Sequence, residues 1–131
     1  MTVIYEKIAI IGVGLIGASI ALAARRANLA THIVGFDADE SAVDTVRDLA
    51  LVDEAVTDPV AAVADADLVI MAVPVGAMGG LAASIVHAMK PGTVLTDTGS
   101  TKRSVLRDVD PVVTANIHWL PSHPLAGTEY S

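Results

Sequence analysis

The apolar run Ile8-Ala9-Ile10-Ile11 leads directly into Gly12-Val13-Gly14-Leu15-Ile16-Gly17, and this junction constrains the fold more than any other part of the chain. The run is short, largely β-branched and apolar on both alternating faces, which predicts a strand buried between two layers. A helical pattern follows from Leu15 to Arg26, so the three glycines stand between a strand and a helix. That is the context in which G-x-G-x-x-G opens a dinucleotide-binding unit. Gly12 permits the tight turn, Gly14 lets backbone approach a pyrophosphate, and Gly17 lets the helix lie close to the strand. The phosphates would sit on the helix N-terminus beside Leu15 and Ile16, where unpaired N–H groups and the helix dipole favour negative charge. Taken alone, the motif is a weak signal, whose plainer reading is a glycine-rich turn of another α/β protein.

Asp37 strengthens the dinucleotide reading. It follows the second predicted strand, Ile33-Val34-Gly35-Phe36, where a carboxylate can grip an adenosine ribose through its hydroxyls. Its plainer role is a helix cap or a surface Asp. A 2′-phosphate would be repelled there, and Ala38, Asp39 and Glu40 supply no cation, so NAD(H) is expected over NADP(H). NADP(H) is the alternative, with Arg25, Arg26 or a segment outside this chain supplying the compensating charge.

Further along, Asp39 or Ser41 suits the cap of a helix carrying Val43, Val46 and Leu49. Pro59 opens a short helix through Val63, and a strand runs from Leu68 to Val73, stopped by Pro74. A helix is predicted from Val75 to His87 despite Gly76, Gly79 and Gly80. A strand over 93–97, a short helix from Thr101 to Leu106 and one or two extended segments between Val112 and Leu120 complete the order. Short strands alternating with helices predict an α/β fold: a Rossmann-type, doubly wound, mostly parallel sheet in three layers.

Composition narrows the class. With 53% hydrophobic and 18% charged residues the chain is too apolar for disorder. Its 131 residues suit one domain that buries about two-thirds of its unfolded surface. Aromatics are 3%, so the core must be built from Ala, Val, Leu and Ile. A net charge of −7 argues against nucleic acid or an anionic membrane as partner. The chain has no cysteine, no basic stretch feeding an apolar one, and no long uncharged apolar run. No disulfide, signal peptide or membrane span is expected, and a cytoplasmic location is.

Ligands of open α/β sheets bind beyond the carboxyl ends of the strands. Ala72-Val73-Pro74-Val75 is expected to wall the nicotinamide half of a cofactor, with Val73 and Pro74 in contact, although an ordinary strand-to-helix turn would read the same. Asp97-Thr98-Gly99-Ser100-Thr101-Lys102 is a polar strand end in which Ser100 or Thr101 suits a helix cap. His123 lies in the loop Pro121-Ser122-His123-Pro124, which suits a held catalytic base. His32 stands at a strand start, His87 near a helix end, and His118 reads as a structural strand residue. No histidine has ligands at metal spacing, so no metal is expected.

These segments together resemble the prephenate/arogenate dehydrogenase family. The resemblance is carried by Gly12-x-Gly14-Leu15-Ile16-Gly17-x-Ser19, Gly35-Phe36-Asp37, Ala66-Asp67-Leu68-Val69, Ala72-Val73-Pro74, Thr96-Asp97-Thr98-Gly99-Ser100-Thr101-Lys102 and Ser122-His123-Pro124-Leu125-Ala126-Gly127-Thr128-Glu129. It implies NAD-dependent oxidative decarboxylation of prephenate or arogenate in tyrosine biosynthesis. His123 would take the proton of the ring 4-hydroxyl. Ser100 would orient that hydroxyl and the nicotinamide, and Thr128 would lie at the substrate. Residues 1–131 would then be the NAD-binding domain. The family's helical C-terminal domain, which dimerises and completes the substrate pocket, would be absent, and the fragment alone would only bind cofactor. Two other readings share the glycine motif: a β-hydroxyacid dehydrogenase or pyrroline reductase, and a non-catalytic dinucleotide-binding domain.

Overall fold

The structure, a computed structural model, describes residues 4–122. Its elements are β1 (Tyr5–Ile11), α1 (Leu15–Arg26), β2 (Ala30–Phe36), α2 (Glu40–Asp48), β3 (Glu54–Val56) and α3 (Pro59–Val63). They continue with β4 (Leu68–Met71), α4 (Val75–Ile85), β5 (Val94–Asp97), α5 (Lys102–Val109) and β6 (His118–Trp119). Single 3-10 turns follow α4 and α5, at Val86–Ala88 and Asp110–Val112. The described strands form one sheet in the order β3-β2-β1-β4-β5-β6, and every pairing is parallel. This is the doubly wound order of the Rossmann fold.

The three layers follow from strand alternation. Ile8 and Ile10 of β1 pack with Ala21 and Ala24 of α1 and Val46 of α2. Ala9 and Ile11 point the other way, into a cluster with Ala62 of α3, Met78 and Ala82 of α4, and Val105 of α5. Ile8, Ile10 and Ile11 are fully buried, each worth about 1.5–3 kcal/mol relative to exposure. The small side chains of α1 let it approach the sheet. The core is aliphatic as expected, but Met71, Met78, Met89 and Phe36 join it.

The predicted α1 and α3 match the structure, and Asp39 rather than Ser41 caps α2, accepting from the Ser41 N–H. β1 and β2 begin at Tyr5 and Ala30, each three residues before the apolar run read as the strand, and four further expectations need correction. The strand predicted to reach Val73 ends at Met71, because the Ala72 N–H makes a last bond to the Ile11 carbonyl and the chain then turns into Pro74, the N-cap of α4. The helix predicted to reach His87 tightens into a 3-10 turn after Ile85. The fifth helix runs on to Val109, driven by burial of Val105 and Val109. β3 was not foreseen: three residues on a sheet edge, with Glu54 exposed, carry no readable alternation. Among the described residues no helix is long and apolar enough to cross a membrane, and no group of three or more His, Cys, Asp or Glu side chains is placed to hold a metal.

Candidate functional site

β1 and β4 lie side by side, yet the helices after them cover opposite faces of the sheet. Their carboxyl ends therefore diverge, and a crevice must open between them. Two adjoining depressions occupy it, sharing Gly14, Ala72, Val73 and Pro74. One, of about 340 Å³, is also lined by Gly12, Phe36, Asp37, Ala38 and Ala77. The other, of about 460 Å³, adds Leu15, Ile16, Val75, Thr98, Gly99 and Ser100. The groove thus runs from the end of β2, across the glycine loop, to the end of β5.

Each glycine of the loop has a separate reason. Gly12 has φ +101°, and a Cβ there would stand 2.5 Å from the Ala72 carbonyl oxygen. Gly17 is buried, and a Cβ there would stand 1.8 Å from the Gly12 carbonyl oxygen. It does not line the groove but lets α1 sit beneath the turn. Gly14 is the opposite case, because among the described residues no atom beyond its own chain neighbours lies within 4 Å of where its Cβ would be. It is the N-cap of α1, no side chain caps that helix, and its first turn holds no acid. Free N–H groups and open space therefore coincide there. Leu15, at the start of α1, is 86% exposed.

Asp37 lies at the far end. Its Oδ2 accepts from the Val13 N–H at 2.9 Å and its Oδ1 from the Asp39 N–H at 2.8 Å. Each oxygen keeps further acceptor capacity, and Asp37 lines the groove. Beside it, the Ser41 hydroxyl and backbone N–H hold the Asp39 carboxyl below its ordinary value, so this end keeps a second negative charge. Arg25 and Arg26 stand in the last turn of α1, whereas the groove is at its first. Arg25 is engaged with Asp53 at 3.3 Å. Neither is placed to compensate a 2′-phosphate.

At the β5 end, the Asp97 carboxylate is fully buried and is shared by three segments. Oδ2 accepts from the Gly99 N–H at 2.7 Å and from the Lys102 ammonium at 2.6 Å. Oδ1 accepts from the Ser122 N–H at 3.1 Å, and the Ser122 hydroxyl donates to the Asp97 carbonyl. Thr101 takes the N-cap position of α5 without a side-chain capping bond. Ser100 is exposed on the groove wall.

The groove therefore brings together Gly12, Gly14, Leu15, Ile16, Asp37, Val73, Pro74 and Ser100 of the residues singled out from sequence. Gly17 supports it from below, and His123 and Thr128 lie outside the described residues. His118 is on β6 but exposed, His32 sits 3.3 Å from Glu54 at the far edge, and His87 is exposed in a 3-10 turn. Sequence reading missed the shared carboxylate. An Asp closing a buried strand, with Gly two and Lys five residues on, was the available signal.

A family model described as prephenate dehydrogenase, nucleotide-binding domain, matches residues 20–131. This chain belongs to that family. The matched stretch begins after the glycine loop, so the loop geometry is separate support. The chain is 42% identical over 126 residues to the cyclohexadienyl dehydrogenase of Zymomonas mobilis, covering 96% of this chain and 43% of that protein. It is 33% identical over 128 residues to the prephenate dehydrogenase of Bacillus subtilis, covering 96% of this chain and 34% of that one. Among solved structures, it resembles A. aeolicus prephenate dehydrogenase in complex with hydroxyphenyl propionate and NAD+, with a TM-score of 0.82 and 27% identity over 95% of this chain and 43% of that one. The chain thus spans less than half the length of these relatives.

Proposed function

We propose that this chain is the NAD+-binding part of a dehydrogenase that oxidatively decarboxylates prephenate or arogenate. The observation that carries the proposal is the continuous groove at the switch point, with an open glycine and an uncapped helix N-terminus in its middle. These residues fit a dinucleotide. The pyrophosphate would meet Gly14 and the first turn of α1, the adenosine ribose would meet Asp37, and the nicotinamide half would lie along Val73, Pro74 and Ser100. Bound NAD+ supplies the hydride acceptor for the carbinol carbon of the substrate ring.

The chain's own groups do the rest. His123 takes the proton of the ring hydroxyl, which eases hydride departure from the same carbon. Ser100 orients that hydroxyl, and Thr128 contacts the substrate. Loss of the ring carboxylate as carbon dioxide leaves an aromatic ring, which pulls the reaction forward. The apolar wall at Ala72–Val75 keeps water from the reacting face. The carboxylates of Asp37 and Asp39 favour NAD+ over NADP+. A further, helical domain outside residues 1–131 would complete the substrate pocket and form a homodimer, so this chain alone binds cofactor without turnover. The reaction draws on NAD+, and we propose a cytoplasmic location.

Turnover by the full-length polypeptide tests this reading. NADH should form from NAD+ with prephenate or arogenate, and His123→Asn should lower kcat about 100-fold or more. Absence of turnover with both substrates, in folded protein that binds NAD+, would overturn it.

A further inference from the structure

We infer that Asp97 is a positioning residue of the site, whose buried carboxylate locks the Ser122 segment against the loop that carries Ser100. The inference rests on the dehydrogenase reading above, in which Ser100 and the neighbouring His123 act on substrate.

The pairing of β5 with β6 shows how the lock is built. The His118 N–H donates to the Thr93 carbonyl at 2.9 Å, and the Leu120 N–H to the Leu95 carbonyl at 2.8 Å. By this two-residue step the Ser122 N–H would next meet the Asp97 carbonyl. It meets Asp97 Oδ1 instead, while the Ser122 hydroxyl takes the carbonyl. Side chains thus carry the pairing one step past the end of β6. Pro121 falls between two donating positions, where the missing N–H is tolerated on an edge strand. The Thr96 hydroxyl ties the Leu120 carbonyl at 2.6 Å.

The other oxygen of the same carboxylate shapes the Ser100 loop. Gly99 turns tightly enough that a Cβ would stand 2.9 Å from Asp97 Oδ2 and 2.6 Å from Val105 Cγ2. Lys102 answers the charge from the first turn of α5, with its side chain 14% exposed. Asp97 does not line the groove, so it acts through others. Among the described residues its side-chain partners are Gly99, Lys102 and Ser122, which flank Ser100 and precede His123. A buried carboxylate is costly to keep unless it is paired and fully hydrogen-bonded. Here every such bond orders the site's own segments.

Three variants test this: Asp97→Asn/Lys102→Met, Asp97→Asn, and Ser122→Ala. The double variant removes both buried charges, so folding is not burdened by an unpaired ammonium. Ser122→Ala changes an exposed residue and leaves the buried pair intact. Amide hydrogen exchange is read at Ser122, with Val13 (held by Asp37) as internal control. In the full-length polypeptide kcat and the KM for NAD+ are read with prephenate or arogenate. For the Asp97 variants we expect Ser122 protection to fall about tenfold or more, Val13 to be unchanged, and kcat to fall about 100-fold with the KM for NAD+ within about twofold. Ser122→Ala should lower kcat about three- to tenfold, the worth of one hydrogen bond. Retained Ser122 protection, or its loss with kcat unchanged, would overturn the inference. Wild-type protein without turnover would overturn the dehydrogenase reading instead. The exchange data would still decide whether Asp97 holds Ser122.

Discussion

The carboxylate of Asp37, at the end of β2, accepts a hydrogen bond from the backbone N–H of Val13 at 2.9 Å. One side chain thus shapes the glycine loop and faces the groove beside it. Asp37→Ser removes both the tie and the charge. Hydrogen bonds to a charged group are worth about 1.5–3 kcal/mol, so NAD+ should bind about 10- to 100-fold more weakly. NADP+ should lose less, because the repulsion of its 2′-phosphate is relieved. Calorimetry with both cofactors on both proteins checks this. Equal losses for the two would show that Asp37 does not discriminate at the ribose.

Gly14 and Gly17 separate ligand space from protein space. Alanine at 17 would place a methyl 1.8 Å from the Gly12 carbonyl oxygen, so α1 and the loop must part. We expect a loss of about 1–3 kcal/mol in stability by denaturant titration, with binding lost as a consequence. Among the described residues alanine at 14 meets no atom beyond its chain neighbours, and its φ of −69° is open to any residue. That variant should stay within about 1 kcal/mol of wild type. Its NAD+ affinity should fall sharply all the same, since the methyl enters the space proposed for the pyrophosphate.

Long or strongly patterned features were legible in the sequence. α1, the glycine loop and the carboxyl end of β1 were read nearly to the residue, because twelve helical residues between a buried strand and a charged end leave little choice, whereas β1 begins at Tyr5, three residues before the apolar run. The groove-lining residues came with them, since topology places strand ends together. β3 was not legible: it is a three-residue edge segment, half-covered and held by neighbours such as Arg47, whose guanidinium donates to the Ala55 carbonyl. The shared carboxylate of Asp97 was hidden for another reason. Its partners Gly99 and Lys102 are close in sequence, but Ser122 comes to it only through the register of β6 against β5.

Acid should expose a second carboxylate, far from the groove. The Lys90 ammonium, 2.7 Å from Asp67 Oδ1, holds the Asp67 carboxyl below its ordinary value against the opposing effect of partial burial. The N–H groups of Lys7 and Glu6 help by donating to Oδ2. With the folded value below the unfolded one, the unfolded chain takes up the proton first as pH falls. The stabilisation is therefore fully present above the unfolded value of about 3.9 and lost as pH falls through the folded value. Melting curves from about pH 6 to about pH 3 should show wild type more stable than Asp67→Asn at the upper end, with the two converging in acid. Parallel curves would mean that Asp67 makes no such contribution.

The glycines of α4 should respond to alanine with opposite signs. Gly80 is exposed within the helix, and among the described residues nothing outside the helix's own local backbone lies within 4 Å of its would-be Cβ. Alanine there reduces the freedom of the unfolded chain and should stabilise by about 0.4–1 kcal/mol. Gly79, one residue earlier, faces α5. A Cβ would stand 2.9 Å from Asp108 Cβ and 3.1 Å from its carbonyl oxygen. Because the second of these atoms is backbone, α5 must shift as a body, costing about 1–3 kcal/mol. The shift would pass to Lys102 at the start of α5, and so to the Asp97 carboxylate. Thermal melts should therefore place Gly80→Ala above wild type and Gly79→Ala below it. Amide exchange at Gly99 should quicken only in the second. A Gly79→Ala protein that melts with wild type would show that the two helices separate without cost.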